Sequence, residues 1–148
     1  MTVPMTINDP DVLAEVTAAV DAYETALMTN DVEALDGFFR DAPQTVRYGV
    51  AENLYGFEAI AAFRIGRSGG SPQRSRLRTE ITTFGRDFAI ANVEFLREGA
   101  KHTGRQSQTW IRTEKGWKIV SAHVSLLQEG VDQRLAPQAI DRPPHDHK

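Results

Sequence analysis

Residues 104–127 read GRQSQTWIRTEKGWKIVSAHVSLL, two runs of alternating side chains separated by Glu114-Lys115-Gly116. Alternation with period two is the pattern of a strand with one buried face, and a short connection containing glycine is typical of a hairpin. The stretch therefore predicts two long antiparallel strands, Arg105 to Thr113 and Trp117 to Leu127.

The length of the loop decides the register of this hairpin. A three-residue loop with Gly116 in the left-handed conformation pairs Thr113 with Trp117. It places four further pairs on one side of the sheet: Ile111 with Ile119, Thr109 with Ser121, Ser107 with His123, and Arg105 with Ser125. A two-residue loop would need a positive φ at Lys115, and it would bring Gln108 and Gln106 opposite His123 and Ser125. We favour the first register, which directs His123 and Ser125 towards the interior.

The opposite side of the same hairpin is too apolar to be left in water. It carries Trp110, Val120, Ala122 and Val124 together with Gln106 and Gln108. This pattern predicts a partner sheet on that face, and therefore a homodimer through the sheet.

The N-terminal third of the chain has helical spacing instead. Asn8-Asp9-Pro10 is typical of a helix start. An apolar stripe follows, in which apolar residues recur every three or four positions until Thr29-Asn30. Its members are Val12, Val16, Val20, Tyr23 and Leu27. Asn30 or Asp31 is expected to cap a second, shorter helix that ends before Pro43.

Between these parts the pattern alternates between short elements. We expect a strand, a turn, a third helix with Arg64 on its inner face, a mobile loop and two more strands: 45–48, 53–56, 57–67, 68–72, 81–84 and 88–97. Helices first and strands later predict an α+β domain, with three N-terminal helices packed on a curved antiparallel sheet that encloses a pocket.

Length and composition limit the alternatives. A chain of 148 residues with 41% hydrophobic content predicts one domain, with a core at 8–128 and a loose tail at 129–148. The net charge of −3 argues against nucleic acid as a partner. No apolar run reaches the length of a membrane span, and the absence of cysteine excludes disulfides and thiolate chemistry. We expect a cytoplasmic protein without a membrane partner.

Thirteen of the 17 basic residues are arginine. A guanidinium group fits carboxylates bidentately, which suggests small anionic ligands, although a high genomic GC content gives the same bias. Arg47 would join Arg64 in the pocket if odd positions of its strand point inward, whereas the same alternation allows Tyr48 there instead. Buried arginines need an anion for compensation, so the pocket is expected to take carboxylates.

Each candidate also has a structural interpretation. Tyr23 suits a core tyrosine, His123 a hydrogen-bonded structural histidine, and Arg64 an ion pair with one of three acidic residues: Glu52, Glu58 or Glu94. His145 and His147 read as part of a solvated tail, and no metal site is predicted. The chain lacks the fingerprints of serine hydrolases, zinc proteases, kinases and dinucleotide-binding enzymes, so a pocket without a cofactor is expected.

Several blocks of the chain resemble one known family. They are RYGVAENLYG (47–56), AFR (62–64), ITTFG (81–85), GRQSQTW (104–110) and GWKIVSAHVS (116–125). These blocks resemble the AtzH-like family, whose members have the NTF2-like cone fold, also called SnoaL-like or ketosteroid isomerase-like. The resemblance extends over residues 8–128, and the first and fourth blocks are specific to the family rather than to the fold.

The resemblance implies a cofactor-free enzyme that acts on a small anionic ureido carboxylate. One branch of the family is similar to the decarboxylating amidohydrolase of cyanuric acid catabolism, which converts dicarboxyurea to allophanate, and another accompanies oxalurate breakdown. It also implies that Tyr23 and Arg47 are the catalytic pair. Four further residues are secondary substrate-binding candidates: Arg64, Arg105, His123 and Ser125.

A protein of another class would also fit the pattern. A non-catalytic member of such a family could bind an anionic metabolite and dock on a partner amidase through its sheet or its tail. Because one cone-shaped fold carries many activities, the fold does not distinguish the two hypotheses.

Overall fold

A computed structural model describes residues 4–67 and 69–128. The predicted tail with His145 and His147, and Ser68 of the predicted loop, lie outside the described residues. The elements in chain order are α1 (Pro10–Met28), α2 (Val32–Gly37), β1 (Val46–Tyr48), β2 (Asn53–Tyr55), α3 (Phe57–Gly66), β3 (Arg74–Phe84), β4 (Phe88–Arg97), β5 (Gly104–Thr113) and β6 (Gly116–Leu126). Within the described ranges, no helix is long and apolar enough to cross a membrane.

The strands form one six-stranded sheet in the order β2-β1-β6-β5-β4-β3. Neighbouring strands are antiparallel except β1 and β6, which pair in parallel. The predicted α+β class is therefore confirmed. The predicted turn at 53–56 is wrong, because Asn53–Tyr55 is strand β2 and Leu54 pairs with Arg47 of β1. A tighter turn precedes it, closed by the Gly49 N–H donating to the Glu52 carbonyl at 2.8 Å.

Local side chains define the helix boundaries. The Asp9 carboxylate accepts from the backbone N–H groups of Asp11 (3.0 Å) and Val12 (3.3 Å), and Pro10 opens α1 as predicted. Of the two candidate caps for α2, Asp31 has this role, since its side chain accepts from Ala34 N–H. Asn30 instead takes the connecting left-handed conformation, with φ of 52°.

The β5–β6 hairpin differs from the expected register near its loop. Thr113 pairs with Gly116 across a two-residue loop, and the positive φ falls on Gly116 rather than on Lys115. Trp110 pairs with Ile119, and a bulge lies between Trp110 and Thr109. On the far side of this bulge from the loop, Ser107 pairs with His123 as predicted. The bulge compensates for the shorter loop.

The predicted inner face of this hairpin is nevertheless wrong. Trp110, Ala122 and Val124 are buried, and Trp110 and Ala122 belong to one core with the apolar face of α1. Arg105 and His123 are exposed on the other side of the sheet. The helices of the same chain cover the apolar face, so the observation that suggested a partner sheet has another explanation, and the homodimer stays a prediction.

One glycine of the sheet is required by a neighbouring aromatic ring. Gly104 pairs with Phe95 across β4 and β5, and the fully buried Phe95 ring lies over the Gly104 backbone. A Cβ atom at position 104 would lie 2.2 Å from Phe95 Cζ. Arg74 also lies against this ring, with its guanidinium carbon 4.3 Å from the ring centroid.

We expect Gly104→Ala to destabilise the fold by about 1–3 kcal/mol, because the Phe95 ring must move within a packed core. Gly66→Ala is the control, since no atom lies within 4 Å of its added Cβ. Alanine at this helical position should be neutral or stabilising by up to about 1 kcal/mol. Chemical denaturation of both variants measures the difference, and equal stabilities would contradict the role given to Phe95.

Candidate functional site

A cavity of about 230 Å³ lies between the helices and the inner face of the sheet. Its wall combines α1, the β1–β2 turn, α3 and the segment after it, and strands β1 and β3–β6. The lining residues are Tyr23, Leu27, Arg47, Val50, Ala51, Glu52, Phe63, Arg67, Ser71, Pro72, Arg74, Arg97, Gln106, Gln108, Ala122 and Val124.

Arg47 points into this cavity from β1. Its side chain is 13% exposed, and NH1 donates to Glu52 Oε2 at 2.8 Å. Tyr48, the alternative at the next position, lies against His123 with 5.5 Å between ring centroids and forms a hydroxyl–hydroxyl bond with Tyr55. The structure therefore selects Arg47 for the pocket.

Gly49 allows the Arg47–Glu52 pair to form. A Cβ atom at position 49 would lie 1.9 Å from Glu52 Oε2, so a larger residue would occupy the space where the carboxylate folds back. The pair therefore depends on the glycine that follows Arg47-Tyr48 in the sequence.

A second arginine on the wall is held by a carboxylate from α1. Arg74 donates through Nε (3.0 Å) and NH2 (2.6 Å) to the two oxygens of Glu24, and NH2 also reaches Gln106 Oε1 at 3.1 Å. The sequence reading did not select Glu24 or Arg74 for the site. The only local signal is the alternation of Arg74 with Arg76 and Arg78 ahead of the predicted strand at 81–84.

Two further arginines line the cavity, and no described carboxylate pairs with either. Arg67 donates to Ser71 Oγ at 2.6 Å, and the Arg97 guanidinium carbon lies 5.5 Å from the Phe95 ring centroid. Burial lowers the pKa of Arg67, as does the charge of Arg47. Burial also lowers the pKa of Arg97, and so do its neighbours Arg74 and Arg47.

These shifts mean that the charged forms are disfavoured by their surroundings. Guanidinium groups nevertheless stay protonated near neutral pH. The wall therefore holds two cations in excess of the carboxylates that pair with its arginines. An anion entering the cavity would supply the missing compensation.

Tyr23 reaches the same cavity from α1. Its ring is packed edge-to-face against Phe38, Phe39 and Trp110, and the residue is 5% exposed. No described residue forms a hydrogen bond with its hydroxyl. In residues 4–67 and 69–128, the only side-chain polar atom that is both fully buried and without a partner is Thr83 Oγ1, so the Tyr23 hydroxyl is not fully buried. Within the described part of the chain, the Tyr23 hydroxyl therefore has no partner, and the residue lies on the cavity wall, where a ligand could accept its proton.

The other predicted site residues lie elsewhere. Arg64 is half-buried, pairs with Asp36 and lies over the Phe39 ring, 5.2 Å from its centroid. Its partner is none of the three proposed acidic residues, and Arg64 does not line the cavity. Arg105, His123 and Ser125 are on the outer face of the sheet, because the inward positions of this part of the hairpin, Gln106, Ala122 and Val124, are the even-numbered ones.

Hydrogen-bond donors therefore dominate this site. The described carboxylates close to the cavity, Glu52 and Glu24, each hold an arginine. Among residues 4–67 and 69–128, no group of three acidic, histidine or cysteine side chains could hold a metal ion. The arrangement can bind a small, oxygen-rich anion and offer it one phenolic proton.

Comparison with known proteins identifies the family that the sequence blocks resemble. The AtzH-like family profile matches residues 5–130. The chain belongs to the AtzH-like family. No curated protein matches the chain.

Two crystal structures are similar over most of their length. A protein of unknown function from Pectobacterium atrosepticum is 52% identical, with a TM-score of 0.80, covering 82% of this chain and 95% of that one. A cystatin-like fold protein from Burkholderia xenovorans is 49% identical with the same TM-score, covering 83% and 97%. An NTF2-like superfamily protein from Salmonella enterica, 24% identical over 83% and 96% with a TM-score of 0.66, supports the NTF2-like fold alone. The NTF2-like fold expected for this AtzH-like chain is confirmed.

We expect small dicarboxylates such as malonate to raise the melting temperature of this AtzH-like protein, because they compensate Arg67 and Arg97. At 100 times Kd the gain is about 2.7 kcal/mol, or roughly 5–10 °C. Differential scanning fluorimetry measures the shift. Arg97→Met should reduce it, whereas Arg78→Met, an exposed arginine paired with Glu80, should not. An equal shift in both variants would rule out Arg97 as an anion contact.

Proposed function

We propose that the protein is a cofactor-free decarboxylating amidohydrolase that converts dicarboxyurea to allophanate, as in cyanuric acid catabolism. The observation that carries the proposal is the free Tyr23 hydroxyl in the same cavity as an excess of guanidinium groups. Membership of the AtzH-like family supports it.

Size and charge of the cavity support a small dianion. Its volume of about 230 Å³ is below the range of pockets for drug-sized ligands. Its two uncompensated cations match the two carboxylates of dicarboxyurea. A monoanionic ligand would leave one half-buried cation without compensation.

Arg47 is assigned to the carboxylate that the product retains. The Glu52 contact uses NH1, which leaves other N–H groups of the planar fork for a ligand. A guanidinium bound to the departing carboxylate would stabilise the ground state more than the transition state, because that group becomes neutral carbon dioxide. Holding the retained end avoids this loss.

Tyr23 is assigned to the proton. As the bond between the departing carboxylate carbon and the ureido nitrogen breaks, its electron pair stays on nitrogen, and nitrogen takes the proton of the Tyr23 hydroxyl. Carbon dioxide leaves, allophanate remains as a monoanion, and the phenolate regains a proton from water. Arg67 lines the same cavity as Tyr23, so its positive charge would stabilise the negative charge that forms there.

The change in charge also assists product release. The substrate carries two negative charges and allophanate carries one, so the product compensates the arginine cluster less completely than the substrate does. The cavity therefore favours the dianion over the product.

We expect Tyr23→Phe to lower the rate of carbon dioxide release from freshly generated dicarboxyurea by about 10²–10⁴-fold, the usual contribution of a positioned proton donor. Binding should change little, because the ring packing is retained. The reaction without enzyme gives the spontaneous rate. Unchanged turnover in Tyr23→Phe would defeat the proton-transfer role.

Arg47→Ala should also abolish the acceleration of carbon dioxide release. The double variant Arg47→Gln/Glu52→Gln shows whether the loss comes from the missing cation or from the unpaired Glu52. The single variant leaves the Glu52 carboxylate unpaired in the cavity, where it repels the substrate. If the double variant stays inactive, the cation itself is required. Recovery in the double variant would mean that Arg47 serves only to neutralise Glu52.

Arg105→Ala and His123→Ala are matched controls on the outer face of the sheet. Both residues are exposed, and surface substitutions usually have small effects, so we expect turnover within about twofold of the wild-type value. Steady-state kinetics with the same substrate checks this. A large loss of turnover in either variant would assign the outer face to the reaction.

Two other outcomes have their own interpretation. If wild-type protein does not accelerate the reaction, oxalurate is the next ureido acid to assay, since it also carries a carboxylate on a urea. If no ureido acid is turned over but an amidase co-purifies with the chain, the protein is a binding partner of that amidase.

A further inference from the structure

Two glutamines line the cavity without a role in the reaction described above. Gln106 and Gln108 lie two residues apart on β5, so they share the inner face of the sheet. They are 4% and 2% exposed, which is unusual for an amide side chain unless its polar atoms are bonded.

The orientation of both amides follows from their neighbours. Gln108 Oε1 accepts from the Trp110 indole N–H at 3.2 Å, and Gln106 Oε1 accepts from Arg74 NH2 at 3.1 Å. Indole and guanidinium groups are donors only. The atom that faces each of them must therefore be the amide oxygen, and the nitrogen must be on the other branch.

Both amide nitrogens remain available. No described residue accepts a hydrogen bond from Gln106 Nε2 or Gln108 Nε2, and neither atom is among the fully buried polar atoms without a partner. Because both side chains line the cavity, the two NH2 groups are open to it. The inner face of β5 thus presents neutral N–H donors next to the arginines.

We propose that the Gln106 and Gln108 amides form a subsite for an uncharged carbonyl oxygen of the ligand, between its two charged ends. This inference rests on the proposed function, which supplies a dianionic ligand for the cavity, and it restricts the substrate class to dicarboxylates with a central carbonyl. Neutral donors suit a carbonyl, whereas carboxylates are bound more strongly by guanidinium groups.

The subsite also provides a reason for selectivity. A ligand without a central carbonyl would displace water from the two amides and leave their N–H groups unpaired. Sites with buried donors reject such ligands because the loss of solvation is not recovered. The arginines alone would not distinguish dicarboxylates of equal length and charge.

Glutarate and 3-oxoglutarate test the proposal by calorimetric titration of the full chain. Both are dicarboxylates with a five-carbon chain, and they differ only in the central carbonyl. We expect wild-type protein to bind freshly dissolved 3-oxoglutarate about three- to tenfold more tightly than glutarate, the effect of one or two neutral hydrogen bonds.

Substitution of Gln108 should remove that preference. Gln108→Glu keeps an oxygen that can accept from the Trp110 indole but has no side-chain N–H group. Gln108→Met is neutral and has neither the oxygen nor the N–H group. The added charge in Gln108→Glu weakens both ligands, so the ratio of their dissociation constants is the relevant quantity. It should approach one in both variants, and Gln44→Met, at an exposed glutamine outside the cavity, should keep the wild-type ratio.

The outcomes separate the two proposals. Equal affinity of wild-type protein for both ligands, or a preference that persists in folded Gln108 variants, overturns the carbonyl subsite and leaves decarboxylation of dicarboxyurea standing. Binding of neither ligand overturns the dianion cavity, and the subsite with it. Melting temperatures of the variants show whether each is folded.

Discussion

Both the core and the site depend on the packing of the buried Trp110 indole. It lies on β5 with no exposed surface, and its ring meets Tyr23 of α1 and Phe38 edge-to-face. Its N–H group donates to Gln108 Oε1. One side chain thus fixes the distance between helix and sheet and the position of the Tyr23 ring. It also fixes the direction in which the Gln108 amide points. Packing of the core and preorganisation of the site are the same interaction here.

Charge in the cavity is arranged by two different means. Arg47 and Arg74 are held by Glu52 and Glu24, so their directions are set by ion pairs with carboxylates from neighbouring elements. Arg67 contacts the Ser71 hydroxyl and the Phe63 ring, and Arg97 contacts the Phe95 ring. These contacts restrict the two side chains without neutralising them. The arginines of the wall are therefore held in position, but the positive charge of two of them is not neutralised, which suits an anionic ligand. The Phe95 ring, seated on Gly104, connects the two kinds of arginine because it lies against both Arg74 and Arg97.

The sheet separates this interior from a quite different outer surface. Alternation along β1 places Arg47 inside and Tyr48 outside, where Tyr48 meets Tyr55 and His123. The hydrogen bond between the Tyr48 and Tyr55 hydroxyls raises the pKa of Tyr55. A shift of one residue in any strand would exchange these two sets of side chains. The bulge next to Trp110 matters for this reason, since it lets both Ile119 and Ala122 point inward although they are three residues apart.

Local patterns were sufficient for the helix starts, the α+β class and the existence of the last hairpin, because capping and periodicity act between residues close in the chain. The resemblance to the family likewise indicated Tyr23 and Arg47, which the fold brings to one cavity. The inner face of β5 and β6 required the tertiary structure. In either hairpin register, paired residues lie on the same side of the sheet, so the pairing alone does not show which side is buried. Packing against α1 decides that. The partners of the arginines had the same origin: Glu24 and Arg74 are 50 residues apart, and Asp36 and Arg64 are 28 apart. Ion pairs over such separations depend on how the elements pack, and no short-range pattern in the chain encodes them.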